Sequence, residues 1–220
     1  MSDTVTIVVV VAGVAIRLVH ALTAELPSRG MTESRRVLRQ QHRVRPWLIA
    51  ELPDGEQGRL VGTASTLHRT LTAPLSGRAC LYYIVLVKPV ESSGAQDLFT
   101  ERNGIAFTLE DASGSAIIDP ARASMALAFD HREELRPSDQ PSPAQRALLL
   151  RHDHSSRSSQ LRFVEAVLSV GERITVVGAG VRRPDLASSA ESGYRSAPPP
   201  RLRIAASDAV PLSIRSQHVR

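Results

Sequence analysis

Few side chains in this sequence are of types that do chemistry, and most of them stand in surroundings that argue for structural work. Cys80 is the single cysteine. It opens an apolar run beside Leu81 and Tyr83, where a buried thiol with no nearby positive partner has its pKa raised and becomes a poor nucleophile. A packed core cysteine is the expectation. His152, Asp153 and His154 form one group of metal-capable side chains, and Asp130 and His131 form another. Two histidines at i and i+2 share a face only in a strand, and the serine-rich stretch that follows, Ser155 to Ser159, points to an exposed loop. Neither group is read as a metal site. Glu110 and Asp111 precede a turn, where an aspartate accepts backbone amides. Ser65 and Ser76 lie outside any GxSxG elbow. No nucleophile, base and oxyanion donor come together in the sequence, so no catalytic residue, metal ligand or cofactor site is assigned.

Glu165 is the exception that needs an account. It lies inside the apolar run Phe163, Val164, Ala166, Val167 and Leu168, where a charge is costly unless it is paired. A structural pairing with an arginine, Arg173 or Arg78, is expected.

The elements that must position these residues are short and strand-like. From Trp47 onward, runs of β-forming residues are separated by Gly, Pro, Asn, Asp and Ser, at the spacing of a small sandwich or barrel. The first run is Arg59 to Thr66. The second, Cys80 to Val87, is apolar on both alternating faces and suits a central strand covered on both sides. Ile105, Phe107 and Leu109 alternate with smaller residues, and the chain reverses over Asp111 to Gly114 into Ala116, Ile117 and Ile118, which predicts a hairpin. Phe163 to Leu168 leads through a turn at Gly171 into Arg173 to Val177, which predicts a second strand pair. Arg201 to Ile204 adds a last short strand. Between them, Glu134 to Gln145 holds three prolines and reads as less ordered, and a helix over Ala144 to Leu150 bridges strands on the outside. Pro184 to Pro200 is polar and ends in three successive prolines, which predicts a flexible linker.

Composition narrows the class. In 220 residues there is room for one domain of ordinary size, or for one smaller domain plus an anchor and tails. Apolar residues reach 42%, enough for a core. Aromatics are only 4%, which argues against the stacking platforms of single-stranded nucleic-acid binders. The 27 basic residues include one lysine, Lys88, and against 22 acids they leave a formal charge of +5. One cysteine excludes a disulfide framework and any Cys-based zinc module.

The amino-terminal stretch has its own texture. Val5 to Ile16 reads VTIVVVVAGVAI, and with Leu18, Val19, Ala21 and Leu22 it gives about 18 apolar residues, roughly 27 Å as a helix. Arg17 and His20 weaken it, since a charge near mid-bilayer costs about 2.5–3.5 kcal/mol on insertion scales. An uncleaved membrane anchor is expected over 1–24. A buried strand followed by a helix is the other reading of the same run. A dinucleotide loop is set aside, because Gly13 stands alone where the pyrophosphate needs several glycines. Arg29, Arg35, Arg36, Arg39, Arg43 and Arg45 follow the run, while no Lys or Arg precedes it, which places the body on the cytoplasmic side of a single span. The organisation expected is a basic juxtamembrane linker over 25–46, a β domain over 47–182, a linker over 183–200, and a last strand and tail over 201–220.

Taken in order, these segments resemble the GIDE, or beside-a-membrane, domain family, typified by the MULAN-type mitochondrial E3 ubiquitin ligase and including bacterial relatives. GRLVGTAS at Gly58 to Ser65, with Gly62, is followed by APLSGRACLYYIVLV at Ala73 to Val87, in which Pro74, Gly77, Cys80 and Tyr83 fall where the family has a turn and a central strand. FTLEDASGSAIIDPARA at Phe107 to Ala123 looks like its hairpin, with Phe107, Asp111, Gly114 and the closing Asp119 and Pro120. EAVLSVGERITVVG at Glu165 to Gly178 is similar to its glutamate, glycine turn at Gly171 and closing strand. RLRIAASDAVPLSI at Arg201 to Ile214 is similar to its final strand. The resemblance implies a mainly β, OB-like barrel or sandwich beside a membrane helix. In the ligases of the family a RING performs ubiquitin transfer, and one cysteine cannot supply its zinc ligands. The expected role is therefore a non-catalytic binding or scaffold module whose partners are proteins or the anionic membrane surface. The alternatives are a component of a ubiquitin-transfer system with the RING on another chain, and a nucleic-acid-binding barrel, which the scarcity of aromatics disfavours. Oligomeric state stays open.

Overall fold

The computed structural model describes residues 37, 41, 43–90, 97–154, 160–184 and 200–217. The expected anchor over 1–24 and most of the juxtamembrane and proline-rich linkers lie outside the described residues. Among those described, no helix is long and apolar enough to cross a membrane.

Thirteen strands and one helix make up the described fold: β1 (Gln57–Thr66), β2 (Leu71–Thr72), β3 (Ala79–Cys80), β4 (Tyr82–Pro89), β5 (Phe99–Gly104), β6 (Phe107–Asp111), β7 (Gly114–Asp119), β8 (Ser124–Ala126), β9 (Phe129–Leu135), α1 (Pro143–Arg151), β10 (Leu161–Leu168), β11 (Arg173–Pro184), β12 (Pro200–Ala205) and β13 (Ser213–Ser216). Five of them, in the order β1, β6, β7, β12, β11 and back to β1, close a barrel. Closure removes the unpaired edges that make open sheets sticky. β12 and β13 follow one another along β11, opposite Pro184 to Gly180 and Val177 to Ile174 respectively. Each also takes a parallel partner, β7 for β12 and β8 for β13.

Gly62 is where β1 changes partners. Gln57 to Thr63 pairs with β11, and Thr63 to Thr66 pairs with β6. A Cβ on Gly62 would lie 2.4 Å from the carbonyl oxygen of Glu110, so the close approach of β6 at this barrel corner requires glycine.

A second sheet, in the order β5, β4, β10, β9, lies against the barrel. Its two inner strands explain the doubly apolar runs of the sequence. Tyr82, Ile84 and Leu86 of β4, with Val164, Ala166 and Leu168 of β10, join the barrel core of Leu60, Phe107, Ile118 and Val176. Tyr83, Val85 and Val87, with Phe163 and Val167, face the other way into a second core completed by Leu75, Leu148 and Leu149. Side chains alternate across a strand, so one apolar run serves two cores.

The helix over 143–151 is set by local signals. Ser142 accepts the amide of Gln145 and Gln145 returns a bond to the amide of Ser142, a capping box, with Pro143 in the first turn. Leu148 and Leu149 are buried in the second core and Leu150 is exposed, which keeps the helix on the outer flank, as expected.

Three expectations are corrected. The strands on either side of Gly171 do not pair: β10 bonds to β4 and β9, whereas β11 bonds to β1, β12 and β13. The turn carries the chain from one sheet to the other, and it is tied there by the Gly171 amide on the Ala64 carbonyl at 2.8 Å and by the Glu172 carbonyl accepting from Ala64 at 2.8 Å. Arg201 to Ile204 is not the last strand, since β13 follows it. The stretch from Glu134 begins inside β9, which ends at Leu135.

Replacing Gly62 with Ala is expected to destabilise the fold by about 2–3 kcal/mol, the usual range for overpacking against an immobile neighbour. Urea unfolding of the two proteins measures it; equal midpoints would show that β6 can yield.

Candidate functional site

The densest polar arrangement inside the fold is built around Glu165. Its position on β10 puts it on the face of the second core, fully buried. Three donors converge on it from one loop. The Leu75 amide donates at 2.8 Å and the Ser76 amide at 3.3 Å, and the Ser76 hydroxyl makes a very short bond to the same carboxylate. That loop, Ala73 to Arg78, joins β2 to β3 and closes on itself through Gly77 to Ala73 at 3.0 Å and Ala73 to Arg78 at 2.9 Å. Gly77 has φ +70°, a left-handed value that glycine adopts without a Cβ penalty and that turns the chain so that successive amides face the carboxylate.

Arg78 completes the arrangement. Its Nη2 lies 3.8 Å from Glu165, and its two terminal nitrogens each donate to Asp130 at 2.7 Å, while Nε donates to the Ser76 hydroxyl at 3.0 Å. The arginine partner expected for Glu165 is therefore Arg78; Arg173 belongs to the barrel, opposite Thr63. Asp130, set aside above as half of a metal-capable pair, is the outer end of this chain of charges. The bidentate bond from Arg78 holds the Asp130 carboxyl below its ordinary value and raises the guanidinium. His131 turns elsewhere, to Glu133 at 2.8 Å.

Cys80 is fully buried beside this group. Desolvation first, and the nearby Glu165 charge second, push its thiol up to about 11, with Arg78 acting the other way. The expectation of a packed thiol stands, and its reason is refined: a positive group is nearby, but burial and the Glu165 charge outweigh it.

A second cluster escaped the sequence reading. Glu101 of β5 accepts from the Tyr83 hydroxyl at 2.9 Å, from Arg151 at 3.1 and 3.2 Å, and meets His152 Nε2 at 2.8 Å. Burial pushes the Glu101 carboxyl up, and the bonds from His152, Arg151 and Tyr83 more than offset it, leaving it below its usual value. His152 and His154 both stack on Phe99, with centroids at 4.0 and 5.3 Å. The HDH group is thus a packed helix end, not the exposed loop expected; Asp153 between the two histidines has φ +54°. The helix itself was expected; the sequence does not show that its end brings Arg151 and His152 onto β5. Among the described residues no group of three or more His, Cys, Asp or Glu is placed to hold a metal ion.

The remaining motif residues lie at turns and packing contacts. Asp111 receives the Ile49 amide at 2.9 Å and the Ser113 and Gly114 amides at 2.7 and 3.1 Å, tying the β6–β7 turn to the entering chain. Asp119 accepts from Ala121 at 3.1 Å. Pro120 is buried against Gly104, and Gly178 sits opposite Gly58 in the barrel. Phe107 is fully buried. Pro74 lies in the loop that Glu165 grips.

A five-stranded barrel backed by a four-stranded sheet, with a buried glutamate clamping a loop, defines a compact β module. Residues 91–194 match the family model GIDE, described as E3 ubiquitin ligase. Over these residues, less than half of the chain, the sequence is similar to GIDE domains. Neither a curated protein nor a solved structure matches the chain.

Glu165→Gln should cost about 3 kcal/mol, because it removes a buried charge from three donors and an arginine. Arg78→Met should cost less, about 1 kcal/mol, since its pair with Asp130 is half exposed. Equal losses in denaturant titrations would contradict the clamp.

Cys80 should react with iodoacetamide at pH 8 roughly a hundredfold more slowly than an ordinary thiol, from its thiolate fraction alone. Fast labelling of the folded protein would contradict its placement.

Glu101, Asp111 and Asp130 all have lowered carboxyl pKa values. Their contribution to stability is present above the unfolded carboxylate range, near pH 4, and is lost as pH falls through the folded values. Glu101→Gln should flatten the fall in melting temperature between pH 5 and pH 2; an unchanged slope would count against the cluster.

Proposed function

We propose that this chain is a membrane-anchored, non-catalytic GIDE-type binding or scaffold module whose β body faces the cytoplasm. The observation that carries the reading is the use to which its chemistry-capable residues are put. Glu165 is spent on the loop amides and Arg78, the Cys80 thiol is held protonated by burial, and Glu101 is filled by Tyr83, Arg151 and His152. Groups so committed stiffen a recognition surface and have little capacity left to turn over a substrate. The apolar run of the first 24 residues, with arginines after it, supports the anchor and the topology. Proteins or the anionic membrane surface are the partners this reading favours, and nucleic acid is not among them.

The description of the matching family favours a second reading, in which the module is one component of a ubiquitin-type transfer system. The 220 residues contain one cysteine, so they do not build a Cys-based zinc module, and the transfer step would fall to another chain.

Carbonate washing of membranes tests the anchor: the full chain should stay in the pellet, and recovery in the supernatant would overturn it. Crosslinking followed by affinity capture separates the two functional readings. Enrichment of an E2-like or RING protein supports the second, and reproducible partners without either support the first.

A further inference from the structure

We infer that the outer face of β11 and β12 is a binding site for a phosphate-bearing anion. A cleft of about 520 Å³ lies there, between the turn at Gly55 and the loop bearing Ser207 and Val210, within the size range of small-ligand pockets. The inference is independent of the anchor and of the scaffold reading.

The walls of the cleft are held in place. The Gly55 amide bonds to the Gly180 carbonyl at 2.9 Å, and Ser207 and Val210 bond to one another at 3.0 Å through amide and carbonyl and again through amide and hydroxyl. Arg122 braces the loop from behind, to Asp208 at 2.9 Å and to the Ala206 carbonyl at 3.0 Å. The floor is small: Ala179, Gly180 and Ala205 leave the backbone open to a ligand.

Charge gives the cleft its preference. Arg183 and Arg203 both line it and are exposed, and neither has a hydrogen bond or ion pair among the described residues. No Asp or Glu lines the cleft. Of the carboxylates next to lining residues in the chain, Asp54 is bound by Arg182 at 3.0 Å and Asp208 by Arg122 at 2.9 Å, and Glu56 is exposed to solvent. Across the ladder Arg183 faces Arg201, and Arg203 faces Val181. Like charges directly opposite repel, and a bound anion relieves that repulsion. Two guanidinium forks match the several oxygens and higher charge of a phosphate better than the two oxygens of a carboxylate. Val181, 45% exposed, offers an apolar contact beside the arginines for the carbon portion of an ester. A phospholipid headgroup and a soluble phosphate ester share this chemistry.

Thermal shift of the full chain in neutral maltoside micelles tests the site with three probes: glycerol phosphate, dihexanoyl-phosphatidylglycerol, and acetate as the carboxylate control. Saturable stabilisation by either phosphate probe is expected. A response to glycerol phosphate equal to or above that to the lipid identifies a soluble ester as the source, and a stronger response to the lipid identifies a headgroup. R183A/R203A should weaken the affinity at least tenfold, while R132A/R136A, which removes two exposed arginines from elsewhere, should leave it within twofold. If the double variant fails to fold, R183Q and R203Q singly should each weaken it about threefold. The absence of a saturable shift with both phosphate probes overturns the site. Equal stabilisation by acetate, or equal loss in the two double variants, also overturns it.

Discussion

A carboxylate with no exposed surface must be answered by donors, and in this protein the answer organises half of the molecule. Glu165 sits at the middle of β10, the strand that both cores share. Its oxygens take two amides and a hydroxyl from the Ala73–Arg78 loop, so the β2–β3 hairpin is fixed over the second core. Arg78 then carries the charge outward to Asp130 near the start of β9. One buried charge thus links the hairpin, the central strand of the small sheet and that sheet's edge. Leaving it unpaired would cost more than most single hydrophobic contacts return, which makes the loop geometry obligatory.

The barrel follows a different logic. Its closure depends on strands that serve two neighbours in succession: β1 passes from β11 to β6 at Gly62, and β11 passes from β1 and β13 to β12 at Gly180. Small residues stand at both transfers because a neighbouring backbone comes within contact distance there. The excursion between β12 and β13, which interrupts their run along β11, leaves an outward wall, and this wall and the Gly55 turn frame the arginine-lined cleft. The surface irregularity is a by-product of how the barrel is closed.

The small sheet holds the committed polar groups, Glu165 and Glu101, which act as fixed struts. Arg183 and Arg203, without a hydrogen bond or ion pair among the described residues, line the cleft on the barrel. A module built in this way offers a rigid frame and a positive face, and the GIDE match over residues 91–194 spans parts of both layers.

What the sequence by itself determined is local. The runs Arg59–Thr66 and Cys80–Val87, the hairpin at Asp111–Gly114 and the helix over Ala144–Leu150 were legible because side-chain alternation and turn residues act within a few positions. The need for Glu165 to be paired was legible too, since an acid within an apolar run has one physical remedy. What only the tertiary structure decided is which strands meet. β5 and β9 are sheet edges with polar, charged sequences, FTERNG and FDHREEL, and carry no apolar run to betray them. The expected pairing across Gly171 failed because a short turn is equally compatible with a hairpin and with a step between sheets. Glu165 and Leu75 meet across 90 positions, and the Glu101 cluster joins β4, β5 and the end of α1. Such contacts are chosen by the packing of whole layers, and no neighbouring residue records that choice.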